Sequence, residues 1–264
     1  MDLSKNKFKY WELVKELAYT GFKLKYHGSF FGYLWSLMKP LFLFLILYTV
    51  FEYVFKLGRS IPNYPIYLLI GITMWGFFAE TTSMCMGSIV GNGDLIRKVY
   101  FPRIVLPLAM SLTVLITLSL NLLVVFGFMV ATKTAISWEA LYLIPILIEF
   151  YIFNLGVSLF LAAIFVKFRD IGPIWEVVTQ GLFYGTPIIY SLSNVPGWLS
   201  KIIMLSPIAQ VIQAGRNAIL PSEVITAKDV LGGYSYITFA IVILVFILGY
   251  VVFHKMTAKF AEEV

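Results

Sequence analysis

Lys23, Lys25, His27 and Lys39 crowd the point where a basic amphipathic stretch gives way to a long apolar one. Cationic side chains at that depth make charge-assisted hydrogen bonds to phosphate oxygens, so the cluster is a candidate seat for a phosphorylated lipid headgroup. General attraction to anionic bilayer lipids would need the same charges. A second set, Asp94, Leu95, Ile96, Arg97, Lys98, Phe101, Pro102 and Arg103, mixes basic and apolar residues between two apolar segments. The turn at Asn92-Gly93, Asp94 as N-cap and Pro102 as stop predict a short helix over 95–101. Such a helix can act as a lever seated in a partner protein, although its cations also satisfy charge sidedness alone. Phe168, Arg169 and Asp170, in a later polar gap, are candidates for the same partner contact.

Other chemistry is poorly provided for. The two histidines, His27 and His254, lie at predicted membrane edges, so a catalytic site for an intramembrane glycan-modifying enzyme finds no good setting. Cys85 is the sole cysteine, which rules out an intramolecular disulfide and suggests no metal cluster. The phosphate-cradling pattern GxxxxGK[ST] is absent, so this chain does not hydrolyse ATP by that route. No catalytic, cofactor-binding or metal-binding residue is expected. Glu52, Glu80 and Glu149 fall inside apolar segments, where a carboxylate is costly. No intramembrane Lys, Arg or His relay matches them, so structural hydrogen bonding or cavity lining is favoured over proton transfer.

The elements that must position these residues are membrane elements. The chain of 264 residues is 60% hydrophobic and 13% charged, with a mean hydropathy of +0.87, against about 25% charged for a soluble domain. The N-terminal stretch lacks a short apolar core and a cleavage site, and is not read as a signal peptide. Residues 10–23 place Tyr10, Trp11, Val14, Leu17, Ala18, Gly21 and Phe22 on one side of a helical wheel, with Lys9, Glu12, Lys15, Glu16, Tyr19 and Lys23 on the other. That pattern fits a helix lying in the headgroup region or one packed on a partner. We therefore divide the chain into an amphipathic interface segment, 1–32, and a membrane domain, 33–264.

Apolar runs predict spans at 33–55, 66–90, 104–132 and 138–166, and a last one at 237–253, each near the roughly 20 residues a bilayer needs. Between them, 174–220 is irregular. A fifth span starts at 174 but breaks at Gly185-Thr186-Pro187, and Pro196-Gly197-Trp198 and Ser206-Pro207 interrupt the apolar residues beyond the break. Broken helices at membrane depth persist only where protein or a water-filled cavity satisfies the freed backbone. The expected fold is therefore all-α, with six spans, an interface helix and re-entrant outer half-helices. Pro187, Pro196, Gly197 and Pro207 are candidates to shape an outer gate. With both termini inside, 14 of the 20 Lys and Arg fall on the inner side, as the positive-inside rule demands. Aromatic residues are abundant, and Tyr48, Phe51, Trp75, Phe78, Tyr151, Phe183, Tyr184 and Tyr190 are candidates to line a sugar path as well as belt or core residues.

Four pieces of this sequence together resemble the membrane subunits of ABC exporters of the ABC-2 type. They are Lys25-Tyr26-His27-Gly28-Ser29-Phe30-Phe31-Gly32-Tyr33-Leu34-Trp35-Ser36-Leu37-Met38-Lys39-Pro40; the stretch Asp94 to Arg103; Phe168-Arg169-Asp170-Ile171; and Thr186-Pro187-Ile188-Ile189-Tyr190 followed by Ser206-Pro207-Ile208. The polysaccharide, O-antigen and teichoic-acid permeases are the most similar branch. Lys39 stands where that family commonly has Asn, and Ser206-Pro207 where Asn-Pro is usual. The resemblance implies a homodimer in the bacterial inner membrane, both termini cytoplasmic, with two separate ATPase subunits that carry Mg-ATP. It also implies a lipid-linked polysaccharide as substrate and no nucleic-acid partner. An ABC-2 permease for teichoic acid, a small drug, haem or a lipid would share this topology, and a proton-driven transporter is a further alternative.

Overall fold

The computed structural model describes residues 3–25, 32–134, 137–221, 224–257 and 260. His27 lies outside them. Every long element among the described residues is a helix: α1 (Leu3–Lys25), α2 (Trp35–Thr49), α3 (Tyr64–Gly87), α4 (Gly93–Lys98), α5 (Val105–Ala131), α6 (Leu143–Lys167), α7 (Ile171–Gly185), α8 (Gly197–Met204), α9 (Pro207–Ile219), α10 (Ala227–Leu231) and α11 (Ile237–Met256). Five stretches are long and apolar enough to cross a membrane: Trp35–Val54, Tyr64–Gly87, Val105–Ala131, Trp138–Lys167 and Ala227–Met256.

The bundle is organised around α3. Asn63 in the left-handed conformation and Pro65 in the first turn launch it, the latter where a missing N–H costs nothing. Its apolar stretch is 72% buried, against 6% for α2. α5 and α6 flank α3, and α11 lies along α6. The α6–α11 crossing is close because Gly156 faces Gly249. A Cβ on Gly156 would stand 2.6 Å from the Phe246 Cα, so only small residues let these backbones meet. α2 ends in one π turn, Val50–Val54, and is mostly uncovered.

At one end of the bundle lie α1, α4 and the exposed Lys167 and Arg169, which we call the basic end. α1 is longer than the 10–23 stretch. The middle of its apolar side is covered by the chain itself, with Val14 and Ala18 buried and Thr113 of α5 donating to the Ala18 carbonyl at 3.0 Å, while Trp11 on the same side is exposed. α4 begins earlier and ends sooner than the sequence suggested. Asp94 sits inside its first turn, and the Asn92 side chain donates to the Ser88 carbonyl at 2.8 Å. The helix stops at Lys98 because Val99 is extended, which swings Phe101 into the apolar cluster with Val14, Ile96, Val105 and Phe253.

α7 is the loosest element. Its fifteen residues span about 22 Å, short of the roughly 30 Å hydrocarbon core, and none of them is buried. It breaks at Thr186, where the sequence places the break, and the chain continues through an extended segment into the short helices α8 and α9.

Candidate functional site

A cavity of about 550 Å³ opens between α2, α3 and α5 on the basic half of the bundle. Lys25, from the end of α1, and Lys39 and Glu80 stand at its mouth. Lys25 forms an ion pair with Glu80, while no ion pair of Lys39 occurs among the described residues. Met84, the last α3 residue to line it, lies three residues before the end of α3 and Ile72 fifteen, so the cavity runs from about 5 to about 22 Å above that end at 1.5 Å per residue. Its walls are Trp75, Phe77, Val114 and Leu118, with a polar strip of Thr73, Thr117 and Asn121. A cationic mouth above an apolar shaft is complementary to an amphiphile with an anionic head. Of the four headgroup candidates, the structure brings Lys25 and Lys39 together. Lys23 is exposed on α1 and is not among the cavity residues.

The sugar-path candidates divide. Trp75 and Phe78 of α3 and Phe183 of α7 form one aromatic cluster, with Trp75 5.4 Å from Phe78 and 5.7 Å from Phe183, centroid to centroid. Trp175 joins it at 6.1 Å from Phe78 and donates its indole N–H to Thr82 at 3.1 Å. Tyr48 stacks on Tyr64 at the far end, and Phe51 lies beside Phe55. Tyr184 is exposed next to Phe183. Tyr151 is turned away, its hydroxyl 2.8 Å from Ser111 on α5.

At the end opposite the basic one, the segment after the α7 break is pinned by side chains. Four consecutive carbonyls each accept from a side-chain donor. Arg216 of α9 donates through Nη1 to Pro187 at 2.5 Å and through Nη2 to Ile188 at 2.7 Å. Tyr64 donates to Ile189 at 3.1 Å and Tyr67 to Tyr190 at 3.0 Å. Arg216 is fully buried, lies 3.5 Å over the Tyr67 ring, and also reaches the Tyr67 carbonyl and the Gln213 side chain. Gly71 makes this possible, since a Cβ there would run into the guanidinium and would stand 3.3 Å from the Ile188 carbonyl oxygen. This clasp satisfies the backbone groups that a break at membrane depth sets free. Of the outer-gate candidates, Pro187 is held in the clasp, Pro207 is buried in the first turn of α9, and Pro196 and Gly197 are exposed at the start of α8.

At the basic end, α4 presents Asp94, Arg97 and Lys98 outward while Ile96 and Phe101 are buried. Leu95 is half-buried and Pro102 exposed. Arg103 donates to the Thr257 carbonyl beyond α11, which ties the segment after α4 to the bundle. Tyr100, at 99% exposure, is the most projecting large side chain described. Phe168, Arg169 and Asp170 are exposed at the α6–α7 corner, with Arg169 5.5 Å over the Phe165 ring.

Residues 12–220 match the family model described as ABC-2 type transporter. The chain belongs to the ABC-2 type transporter family. It is 30% identical over 258 residues to an O-antigen export system permease protein RfbA from Klebsiella pneumoniae, covering 95% of this chain and 94% of that one. A protein of the same name from Myxococcus xanthus is 31% identical over 202 residues, covering 75% of this chain and 76% of the relative. The all-α membrane architecture and the ABC-2 resemblance drawn from the motifs are thus borne out. Within this ABC-2 chain, sequence reasoning missed Arg216, Tyr64 and Tyr67 of the clasp, and it did not single out Tyr100 within the 94–103 stretch. Arg216 had one signal: a single cation nine residues past an α9 proline in an otherwise uncharged helix.

Proposed function

We propose that this ABC-2 chain is the membrane subunit of an ATP-driven exporter that moves a lipid-linked polysaccharide out of the cytoplasm. The observation that carries the reading is the cavity between α2, α3 and α5, whose cationic mouth and apolar shaft fit an isoprenoid-type lipid with a phosphate head. The names of the relatives, which span nearly the whole chain, support a polysaccharide as the cargo. In this reading the basic end faces the cytoplasm, both termini are inside, and the protein resides in the bacterial inner membrane. Lys25 and Lys39 receive the headgroup phosphates, with Lys23 and His27 nearby in sequence.

ATP hydrolysis belongs to two separate cassette subunits, which hold Mg-ATP. They seat against α4, led by Asp94, Arg97, Lys98 and Tyr100, and against Phe168, Arg169 and Asp170. A second copy of the chain completes the transporter. The uncovered apolar sides of α2 and α7 support this pairing, because the polymer path needs walls that one copy leaves open. α7 and the clasped segment Thr186–Tyr190 together make the sixth crossing, and the aromatic cluster of Trp75, Phe78 and Phe183 lines it.

The test is ATP turnover of the chain reconstituted with its cassette subunit in lipid. A lipid-linked oligosaccharide is expected to stimulate turnover, and Lys39→Ala is expected to raise the concentration needed while leaving the basal rate. Stimulation by the delipidated sugar alone, or an unchanged Lys39→Ala response, contradicts the headgroup assignment.

A further inference from the structure

A second cavity, also about 550 Å³, lies at the clasp end of the molecule, away from the clasp itself. It is bounded by the approach to α6, by α9, by the start of α10 and by Ser235 before α11. Its size falls within the range of small-ligand sites. Its chemistry differs from that of the basic-end cavity. Glu139 and Lys228 bring one charge of each sign, so the lining has no net cation to recruit a phosphate. Gln210 and Asn217 stand on one face of α9, seven residues and thus about 10 Å apart along the helix. Ala214, Ala218 and Ile146 form an apolar floor between them, and the exposed Tyr142 offers a ring at the rim.

Among the described residues, most of these polar groups are not spent on the fold. The side chains of Asn217, Glu139, Lys228 and Ser235 make no hydrogen bond or ion pair with another described residue. Gln210 uses only its NH₂, donated to the Met204 carbonyl at 2.9 Å, which leaves its carbonyl oxygen open. The half-buried Asn217 amide and the open Gln210 carbonyl oxygen represent hydrogen-bonding capacity that a ligand can use. The wall behind them is fixed, because Thr226 and Asp229 close a reciprocal cap on α10. α9 itself is fixed from its other face, where Gln213 and Arg216 join the clasp.

We propose that this cavity is a binding subsite for neutral, hydroxyl-rich sugar units on the exit side of the transporter. The amides donate to and accept from ring hydroxyls, and the alanine floor and Tyr142 cover the apolar faces of the sugar. The balanced charge favours sugar over a lipid headgroup. The proposal rests on the export reading: a polymer emerging at the clasp end would be retained there by successive weak contacts, which disfavours backward slippage.

The experiment is cysteine protection in spheroplasts. Ser235→Cys is introduced into the full chain, co-expressed with its cassette subunit. Cys85 is buried, so the added thiol is the accessible one. Labelling by a membrane-impermeant maleimide is compared in cells that make the polymer and in cells lacking its first glycosyltransferase. Asn194→Cys, exposed on a loop of the same end but outside the cavity, is the reference. The expected result is several-fold slower labelling of Ser235→Cys when polymer is in transit, with no change at Asn194→Cys. Adding Asn217→Leu or Gln210→Ala is expected to restore fast labelling, and normal labelling of the reference shows that these variants are folded. Equal labelling in the two strains, while polymer still reaches the cell surface, overturns the subsite and leaves the export reading standing. If polymer never reaches the surface through the wild-type chain, the export reading itself fails and the subsite with it.

Discussion

Replacing Arg216 by Met isolates what the clasp contributes. Methionine is apolar, flexible and able to fill much of the same space, so the loss falls on hydrogen bonds more than on volume. The Tyr67 carbonyl lies within α3, where the helix ladder also uses it. The Pro187 and Ile188 carbonyls lie outside any helix and accept no main-chain hydrogen bond among the described residues. Each buried acceptor left without a donor costs about 1–3 kcal/mol, which sums to roughly 2–6 kcal/mol for the two. Relief of the desolvation cost of a buried guanidinium offsets part of this, so we expect a net loss of about 2–4 kcal/mol. At 1.4 kcal/mol per tenfold change, the population with segment 187–190 released rises by about thirty- to seven-hundred-fold. Hydrogen exchange of the purified protein in nanodiscs reads this at the buried Ile188 amide, which donates to the Thr186 carbonyl at 2.7 Å and should exchange faster once the segment is released. Arg216→Lys keeps the charge but loses the planar fork, and it should fall between wild type and Arg216→Met. Exchange in Arg216→Met as slow as in wild type, with an unchanged unfolding temperature, would refute the reasoning.

Three further outcomes are expected. Gly249→Ala should destabilise the bundle by about 3 kcal/mol, the upper range for overpacking, because the new methyl meets the Gly156 backbone and no side chain can rotate away; thermal unfolding in detergent checks it, and a Gly249→Ala protein as stable as wild type would contradict the close crossing. Tyr100→Ala should lower co-purification of the cassette subunit without altering the unfolding temperature of the chain, since the side chain touches solvent and not the bundle. Asp229 sits exposed on α10, ahead of the apolar helix α11 that makes the last crossing, and its carboxyl is held below the usual carboxylate range by the side-chain and backbone hydrogen bonds of Thr226. A depressed folded pKa adds stability above the unfolded value and loses it as pH falls through the folded one. Amides of α10 should therefore exchange faster, after correction for intrinsic rates, as the medium is acidified below the ordinary Asp range, and Asp229→Asn should remove that dependence.

The membrane's constraints on a chain decide how much of this fold is legible in the sequence. Apolar runs long enough to cross a bilayer, a charge bias between loops and a proline-glycine break at 185–187 are local signals, and the long helices and the α7 break appear where those signals put them. α4 shows the limit of local rules. Asp94 and Pro102 marked a helix, but its end was decided by Phe101 reaching a distant apolar cluster. The aromatic candidates show a second limit. Composition cannot tell Tyr151, which bonds to Ser111, from Phe183, which faces Trp75, because the difference lies in which helices meet. The clasp was hidden for the same reason. Tyr64, Tyr67 and Arg216 are about 120 and 30 residues from the carbonyls they hold, and only the fold brings them to the break. Lys25 and Lys39 were visible as charges, whereas the ion pair of Lys25 with Glu80 depends on α1 folding back along α5, which brings its end beside α3.

The most direct test of the central claim is transport itself. Inside-out proteoliposomes holding this chain and its cassette subunit would be given a fluorescent lipid-linked oligosaccharide, and its passage to the lumen followed by loss of access to an external glycosidase. The account predicts protection that requires ATP, is absent without the cassette subunit and falls in Lys39→Ala. Protection independent of ATP and of the cassette subunit, or none for a lipid-linked glycan of the producing cell, would contradict it.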